Sequence, residues 1–295
     1  MRIINPIYDQ AFKYLMENER IAKMILSLII EKEIISLQTK PQEVKTHDPK
    51  RDIPLSRFDF KVIIKDIDNK HVNVLIEIQK SNKPNPIMRF RRYLGKNYIK
   101  QETFVDSDGK QVTEPLPIIT IYFLGYNLAH YDTPAIVVNN VVKDTVNNCI
   151  IDHKDRFVEL LTHPSYILQT GRLRESRKTR IEKFLAIFDQ QCITNDRYIL
   201  DIEDAADDND IATIKEYLHR ATEDEEMLLK LELEEDVEKE FQTLEKNLEK
   251  ALLNEAQAQE TLNTTIRNLH SMNMPIEQIA SITGKDIDFV KQVIG

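Results

Sequence analysis

Two acidic residues, Asp59 and Glu77, lie at positions whose spacing could place both on one metal ion. The even-numbered positions around each of them are apolar, which predicts two strands that share one buried face. Turn-forming residues at 66–70 predict that the strands pair as an antiparallel hairpin. A turn centred on Asp68 places the two acids directly opposite each other, with Cβ atoms about 4.5–5.5 Å apart. Because carboxylates at that distance repel each other, the pattern predicts a site for a hard divalent cation.

The same odd-numbered face carries a third polar residue, Gln79, two positions after Glu77. Leu75 and Ile63 also belong to this face, so we expect it to be partly covered. The alternative is that Asp59 and Glu77 are ordinary solvated residues on an exposed sheet face.

A basic helix is predicted directly after the hairpin, from about Ile87 to Gln101. Four of its residues are spaced by three, four and four positions and form one helical stripe: Arg89, Arg92, Lys96 and Lys100. Such a stripe can contact phosphates and supply the salt-sensitive part of nucleic-acid affinity. The alternative is a solvated helix face.

The net charge of −9 conceals two regions of opposite character. Residues 201–260 contain 21 acidic and 6 basic residues, whereas the remaining 235 residues contain 28 acidic and 34 basic ones. Only the basic part is suited to a polyanion such as DNA, since the acidic segment repels phosphates.

Several functional classes are disfavoured by what the sequence lacks. The two cysteines, Cys149 and Cys192, form no disulfide framework and no metal-ligand pair. No signal peptide and no apolar run of membrane-spanning length is recognisable, so we expect a cytoplasmic protein without membrane contact. The absence of GxxxxGK[ST] and GxGxxG patterns argues against nucleotide-driven chemistry.

Hydrophobic periodicity predicts an α/β fold. Residues 6–36 have the periodicity of one or two helices, and residues 37–56, rich in proline and polar residues, indicate a loop. The apolar run 116–124 is typical of a buried strand. Hairpin, helix and buried strand together predict a mixed sheet flanked by helices, followed by a C-terminal helical extension.

We expect three regions: a main domain over 1–200, an acidic helical or coiled segment over 201–262, and a small tail over 263–295. Apolar residues of 237–262 form a heptad seam that Glu255 interrupts. The seam is suited either to packing on the same chain or to a homodimer through residues 237–262, and we favour the homodimer. The tail has the spacing of a helix-turn-helix but few basic residues.

Five motifs, taken in order, resemble the branch of PD-(D/E)XK nucleases that comprises transposase-like and recombination-promoting nucleases. The resemblance covers about residues 5–130. The motifs are Asp9-Gln10-Ala11-Phe12-Lys13-Tyr14-Leu15, the Phe58-Asp59 strand, Glu77-Ile78-Gln79, Arg89 to Tyr93 with Tyr98 to Gln101, and the strand Pro117 to Leu124.

The resemblance implies a restriction-endonuclease-like core and a metal-dependent DNA endonuclease linked to mobile elements, recombination or defence. Asp59, Glu77 and the main-chain carbonyl of Ile78 would hold Mg²⁺ or Mn²⁺, and Gln79 would position the attacking water. Asp9 would act as a supporting acid or as a helix-anchoring contact.

Gln79 departs from the wider superfamily, which carries a lysine at this position. Glutamine is neither a cation nor a base at neutral pH, so Arg89 or Arg92 would supply the positive charge. The rival hypothesis is a nuclease-fold module that binds nucleic acid or a partner without cutting.

Overall fold

The computed structural model describes residues 1–40, 56–65, 71–81, 87–105, 108–153, 155–173, 177–203 and 207–295. The strands are β1 (Arg2–Ile4), β2 (Ile34–Lys40), β3 (Ser56–Lys65), β4 (His71–Ser81), β5 (Gln101–Val105), β6 (Gln111–Pro115), β7 (Ile118–Leu124), β8 (Ala135–Val138), β9 (Ser165–Gln169) and β10 (Ile199–Asp201). The helices are α1 (Asp9–Glu17), α2 (Glu19–Ile30), α3 (Ile87–Tyr98), α4 (Arg156–Leu161), α5 (Arg180–Leu185), α6 (Asn209–Arg220), α7 (Glu225–Ser271), α8 (Ile276–Thr283) and α9 (Ile287–Ile294).

The main sheet of the described chain is mixed and has the strand order β2-β3-β4-β7-β9-β8. The β2, β3 and β4 strands are antiparallel neighbours, whereas β4, β7 and β9 run parallel. Edge strand β8 is antiparallel to β9. This architecture confirms the predicted α/β class with a mixed sheet, flanking helices and a C-terminal helical region.

Alternation along β3 and β4 produces the buried face that the sequence predicted. Phe60 and Val62 of β3, and Ile76 and Ile78 of β4, are fully buried in the main hydrophobic core. The α1 helix packs against this face, where the Phe12 ring meets the ring of Phe123 with centroids 5.0 Å apart. Apolar residues at helical spacing in α1 and α2 thus meet apolar residues at strand spacing in the sheet.

The α3 helix covers the opposite face of the sheet. Phe90 contacts Tyr122 of β7 with ring centroids 5.4 Å apart, and Leu94 and Tyr98 pack on a small cluster formed by Leu75, Leu116 and Ile118. The expectation that the odd-numbered face is partly covered is therefore confirmed.

Two element boundaries differ from the sequence prediction. The segment predicted to be helix through residue 36 and then loop contains β2, because Glu31 adopts a left-handed conformation (φ 53°) that ends α2. The buried Ile34 and Leu37 then pair with β3. Local composition does not reveal this strand, since its partner residues in β3 lie 19 to 30 positions further along the chain. The rest of the predicted loop, 41–55, lies outside the described residues.

The second difference concerns the basic helix. The α3 helix ends at Tyr98, before Lys100, and Gln101 already pairs with Pro115 in the β5–β6 hairpin. The Lys100 backbone N–H donates to the Asn97 carbonyl oxygen (3.2 Å) in the turn that leaves the helix.

Contacts divide the chain into two compact units, Met1–Glu234 and Glu235–Gly295. The first unit extends past residue 200, where we placed the end of the main domain, because α6 and the start of α7 add buried residues to its core. These residues are Ile211, Ile214, Leu218, Met227 and Leu231.

The second unit contains the rest of α7 together with α8 and α9. Its small core is formed by Ile266, Ile279, Ala280 and Val290. Gly284 adopts a left-handed conformation (φ 66°) that ends α8, so the predicted helical pair in the tail is confirmed.

Candidate functional site

The carboxylate pair predicted from the sequence occupies the expected register. Asp59 of β3 is the antiparallel partner of Glu77 in β4, and the pairing holds from Ser56–Lys80 to Lys65–His71. Asp59 is only 4% exposed. The backbone of Glu77 is described, but its side chain lies outside the described part of the structure. Because residues that are direct partners share a face of the sheet, the register places both positions on the face covered by α3.

Gln79 and Ile78 occupy successive positions of β4 and therefore opposite faces. Gln79 is 1% exposed, on the same face as Asp59, and is in register with Tyr122 of β7. The Ile78 side chain is fully buried in the main core. It follows that Ile78 can offer the site only its main-chain carbonyl, as the predicted ligand set requires.

A row of polar positions extends from the acidic pair across the sheet. Thr120 of β7 is the parallel neighbour of Glu77, and Ser165 of β9 is the neighbour of Thr120. The Thr120 hydroxyl donates to the Ser165 hydroxyl oxygen at 2.8 Å. Sequence reasoning missed this row, although Thr120 is the one aliphatic hydroxyl residue in an otherwise largely apolar run.

A lysine position borders the pair on its other side. Lys40 of β2 is in register with Asp59. Its side chain lies outside the described part of the chain. Sequence reasoning missed this position because it assigned the segment to a loop.

The four residues of the predicted basic stripe are not placed alike. Arg92 and Lys96 are exposed on the helix. Lys100 lies beyond the end of α3, so the predicted four-residue stripe is wrong at its last member. The side chain of Arg89 is outside the described residues. Phe90 contacts the Tyr122 ring at the level of Gln79, whereas Leu94 and Tyr98 pack at the level of Leu75 and Ile118, so α3 passes over the level of the polar row.

Asp9 faces a different partner from the predicted carboxylate pair. Its Oδ1 atom lies 2.5 Å from Nζ of Lys80, whose side chain is 3% exposed. Lys80 also donates to the Ile7 carbonyl oxygen, and its ammonium group lies 5.7 Å from the centroid of the Phe12 ring. Lys80 follows Gln79 in β4 and thus belongs to the opposite face. Of the two roles predicted for Asp9, the structure shows the helix-anchoring contact.

The N-terminus of α1 is capped by a distant acid, Glu234 of α7. Its two carboxylate oxygens accept hydrogen bonds from the backbone N–H groups of Asp9 (2.5 Å) and Gln10 (3.0 Å). Burial, and after it the charge of Asp9, raises the pKa of Glu234 above its ordinary value. An anion at this position satisfies otherwise unpaired N–H groups and interacts favourably with the helix dipole. No sequence pattern predicted this contact.

A half-buried tyrosine–histidine pair lies where α3 ends. The Tyr98 hydroxyl is hydrogen-bonded to Nδ1 of His163. Burial raises the pKa of Tyr98 and lowers the pKa of His163, so both groups favour their neutral forms. The Pro164 carbonyl oxygen that follows His163 accepts from the Thr120 N–H at 3.1 Å, which connects the pair to the polar row.

The donor set at the pair fits magnesium or manganese. Two carboxylates and a main-chain carbonyl are oxygen ligands, and Mg²⁺ takes one or two carboxylates while it keeps several waters. No group of three or more histidine, cysteine, aspartate or glutamate side chains comes together in the described residues, which do not include the Glu77 side chain. The fit therefore depends on Asp59, Glu77 and the Ile78 carbonyl.

Comparisons with known proteins identified no similar sequence or structure. The chain matches no protein-family model, no curated protein and no solved structure. Within the ranges that the structure describes, no helix is both long and apolar enough to cross a membrane.

Proposed function

We propose that this protein is a metal-dependent DNA endonuclease that hydrolyses phosphodiester bonds. The observation that supports this function is the register of β3 and β4, in which the buried Asp59 is the partner of Glu77, with Gln79 two positions further along β4. Two acidic residues that are direct partners on neighbouring strands repel each other, whatever other contacts they make. A bound divalent cation offsets this repulsion and gives the arrangement a use.

Each residue of the set has a distinct task in this proposal. Asp59, Glu77 and the Ile78 carbonyl hold the cation. The chemistry that Mg²⁺ or Mn²⁺ supplies when bound is a water of lowered pKa and a polarised phosphate oxygen. The Gln79 amide, fixed by burial, accepts a hydrogen bond from that water or donates one to a phosphate oxygen.

DNA approaches the α3 side of the sheet in this proposal. Arg92 and Lys96 are exposed on that helix and are available to phosphates. The residues outside 201–260 carry an excess of six basic over acidic residues, which favours a polyanion. The acidic segment stays away from DNA, because like charges repel within a Debye length of about 8 Å at physiological salt.

A homodimer through residues 237–262 completes the proposal. Double-strand cleavage requires two active centres or the repositioning of one, and a second copy supplies the second centre. The seam of these residues is available for such a contact, since Val237, Leu244 and Leu248 are between 60% and 67% exposed.

The decisive experiment is nicking of a supercoiled plasmid by the full-length protein in Mg²⁺, in Mn²⁺ and in a chelator. We expect nicking in either metal and its loss in Asp59→Asn and Glu77→Gln, which preserve side-chain size. Glu33→Gln is the matched control, because Glu33 is an exposed acid whose carboxylate pairs with Lys65 of β3 (3.7 Å).

Two outcomes would contradict the proposal. Full activity in either site variant would remove the carboxylate pair from catalysis. DNA binding without nicking in both metals would favour the rival function, a nuclease-fold module that binds without cutting.

A further inference from the structure

The middle of α7 is an amphipathic helix without a covering surface in the described part of the chain. Every described side chain from Gln242 to Thr261 is exposed. Leu244 and Leu248 lie within this stretch at seam positions. An isolated helix of this length is marginal in water, and most helical stability in proteins comes from packing of an apolar face. A second helix packed on this face would stabilise it, and the sequence of the seam indicates the direction in which that helix would run.

A parallel pair of these helices would oppose like charges. The seam assigns Phe241, Leu248, Glu255 and Leu262 to position a of the heptad, and Val237, Leu244, Ala251 and Ala258 to position d. In a parallel pair each residue meets its own copy, so the two Glu255 carboxylates would share one core layer. The segment 225–240, with eight acidic and two basic residues, would also lie beside itself. Both arrangements are repulsive.

An antiparallel pair removes these conflicts, because a positions then face d positions. In the register centred between Leu248 and Ala251, large residues meet small ones in two layers and Glu255 meets a leucine. The layers are Val237 with Leu262, Phe241 with Ala258, Leu244 with Glu255, and Leu248 with Ala251, each taken from opposite chains. The methylene groups of Glu255 can cover Leu244 while its carboxylate stays in water at the edge of the pair.

We propose that residues 237–262 of two copies of this chain form an antiparallel coiled coil in this register. The inference rests on the proposed homodimer and does not depend on nuclease activity. The seam maps onto itself under a two-fold axis, as an isologous interface requires. At 1.5 Å per residue, the two copies of residue 237 lie at opposite ends of the pair, about 37 Å apart along its axis.

Cysteine crosslinking of the full-length chain tests direction and register together. The background is Cys149→Ser with Cys192→Ala, which removes the native thiols. Leu244→Cys and Glu255→Cys are introduced on separate chains that carry tags of different size. The two preparations are mixed, allowed to exchange subunits and oxidised. We expect a disulfide only between the two kinds of chain, because disulfide formation needs Cβ atoms about 3.5–4.5 Å apart.

Each preparation oxidised alone is the matched control. In the antiparallel register two Leu244→Cys positions are eleven residues apart along the axis, about 16 Å, and cannot be bridged. A disulfide within the Leu244→Cys preparation alone would show a parallel pair and overturn the proposal. A monomer by light scattering would overturn both this inference and the homodimer, while the plasmid assay would be unaffected.

A second variant pair separates the seam from the rest of the helix surface. Leu248→Glu places a charge in the central layer and should convert the dimer to a monomer. Leu253→Glu is the matched control, since Leu253 is similarly exposed but lies on the outer face of the heptad, and it should leave the dimer intact. If the two substitutions changed the fraction of dimer equally, the assignment of Leu248 to the interface would be wrong.

Discussion

The Lys80 ammonium group, which is buried, and the partly exposed Asp9 carboxylate form an ion pair, with 2.5 Å between Nζ and Oδ1, on the face of β4 opposite Gln79. The pair joins the N-terminus of α1 to the strand that carries Glu77 and Gln79. Glu234 extends it by capping the same helix end. The β4 strand of the proposed active centre is thus anchored to α1 by charged residues on the face opposite the proposed metal ligands.

Substitution of either residue of this ion pair should destabilise the fold, but by different amounts. Asp9→Asn leaves the ammonium group of Lys80, which is 3% exposed, without its counter-charge and should cost on the order of 3 kcal/mol. Lys80→Met should cost less, because Asp9 is 23% exposed and water can hydrate it. The free energy of unfolding in urea measures both. Lys230→Met is the control, since it removes an exposed pair with Glu226 and should change stability by less than about 0.5 kcal/mol.

The carboxylate pair should be a source of repulsion when metal is absent. We expect Glu77→Gln to keep or raise the melting temperature of the chelated protein, since directly opposed like charges are destabilising by a few tenths of a kcal/mol, up to about 1 kcal/mol. Added Mg²⁺ or Mn²⁺ should raise the melting temperature of the wild type but not that of Glu77→Gln or Asp59→Asn. An equal metal-induced rise in all three proteins would place the metal elsewhere.

Replacement of the basic residues of α3 should weaken DNA binding and reduce its salt dependence. Removal of one side chain that binds a phosphate should lower the slope of log affinity against log salt concentration by about 0.9. We expect Arg92→Ala with Lys96→Ala to lower the slope, and further replacement of Arg89 and Lys100 to lower it more. Titrations at several salt concentrations measure it. The control is Lys246→Ala with Lys250→Ala, in the acidic segment, which should leave the slope unchanged. An unaltered slope in the α3 variants would show that this helix face is exposed to solvent without contacting phosphates.

Glu234 should contribute to stability in a pH-dependent way. The fold raises the pKa of Glu234, so the folded state binds this proton more tightly than the unfolded state. The associated stability is present below the ordinary pKa and is lost as the pH rises through the raised pKa. Unfolding free energies from about pH 4 to about pH 8 should therefore show the wild type losing stability relative to Glu234→Gln. A constant difference over this range would contradict the assignment.

A truncated chain should fold only if it keeps the helices that contribute to the core of the first unit. A chain that ends at Leu200 lacks Ile211, Ile214 and Leu218, which are buried in the main core, and should not fold. Loss of each such residue costs about 2–5 kcal/mol, against a total stability of about 5–15 kcal/mol. A chain that ends at Glu240 should fold and be monomeric. Circular dichroism and light scattering check both chains, and a folded 1–200 chain would show that α6 is dispensable.

The hairpin of the candidate site could be predicted from the sequence because its causes are local. A period of two on both strands determines which residues share the buried face, and the predicted turn centred on Asp68 sets the register that makes Asp59 the partner of Glu77. The buried strand at 118–124, the start of α3 and the helical pair of the tail also follow from local periodicity and turn residues.

The surroundings of that hairpin were decided by tertiary structure. Residues 34–40 form a strand because they pair with the edge of β3, although the sequence pattern predicted the end of a helix and a loop. The partner of Asp9 proved to be Lys80, and the cap of α1 came from Glu234, more than two hundred residues away. The sequence alone determined which residues oppose each other across one turn. The neighbouring strands of this hairpin and the charged residues on its opposite face depended on packing between segments that are distant in the sequence. No local pattern encodes such packing.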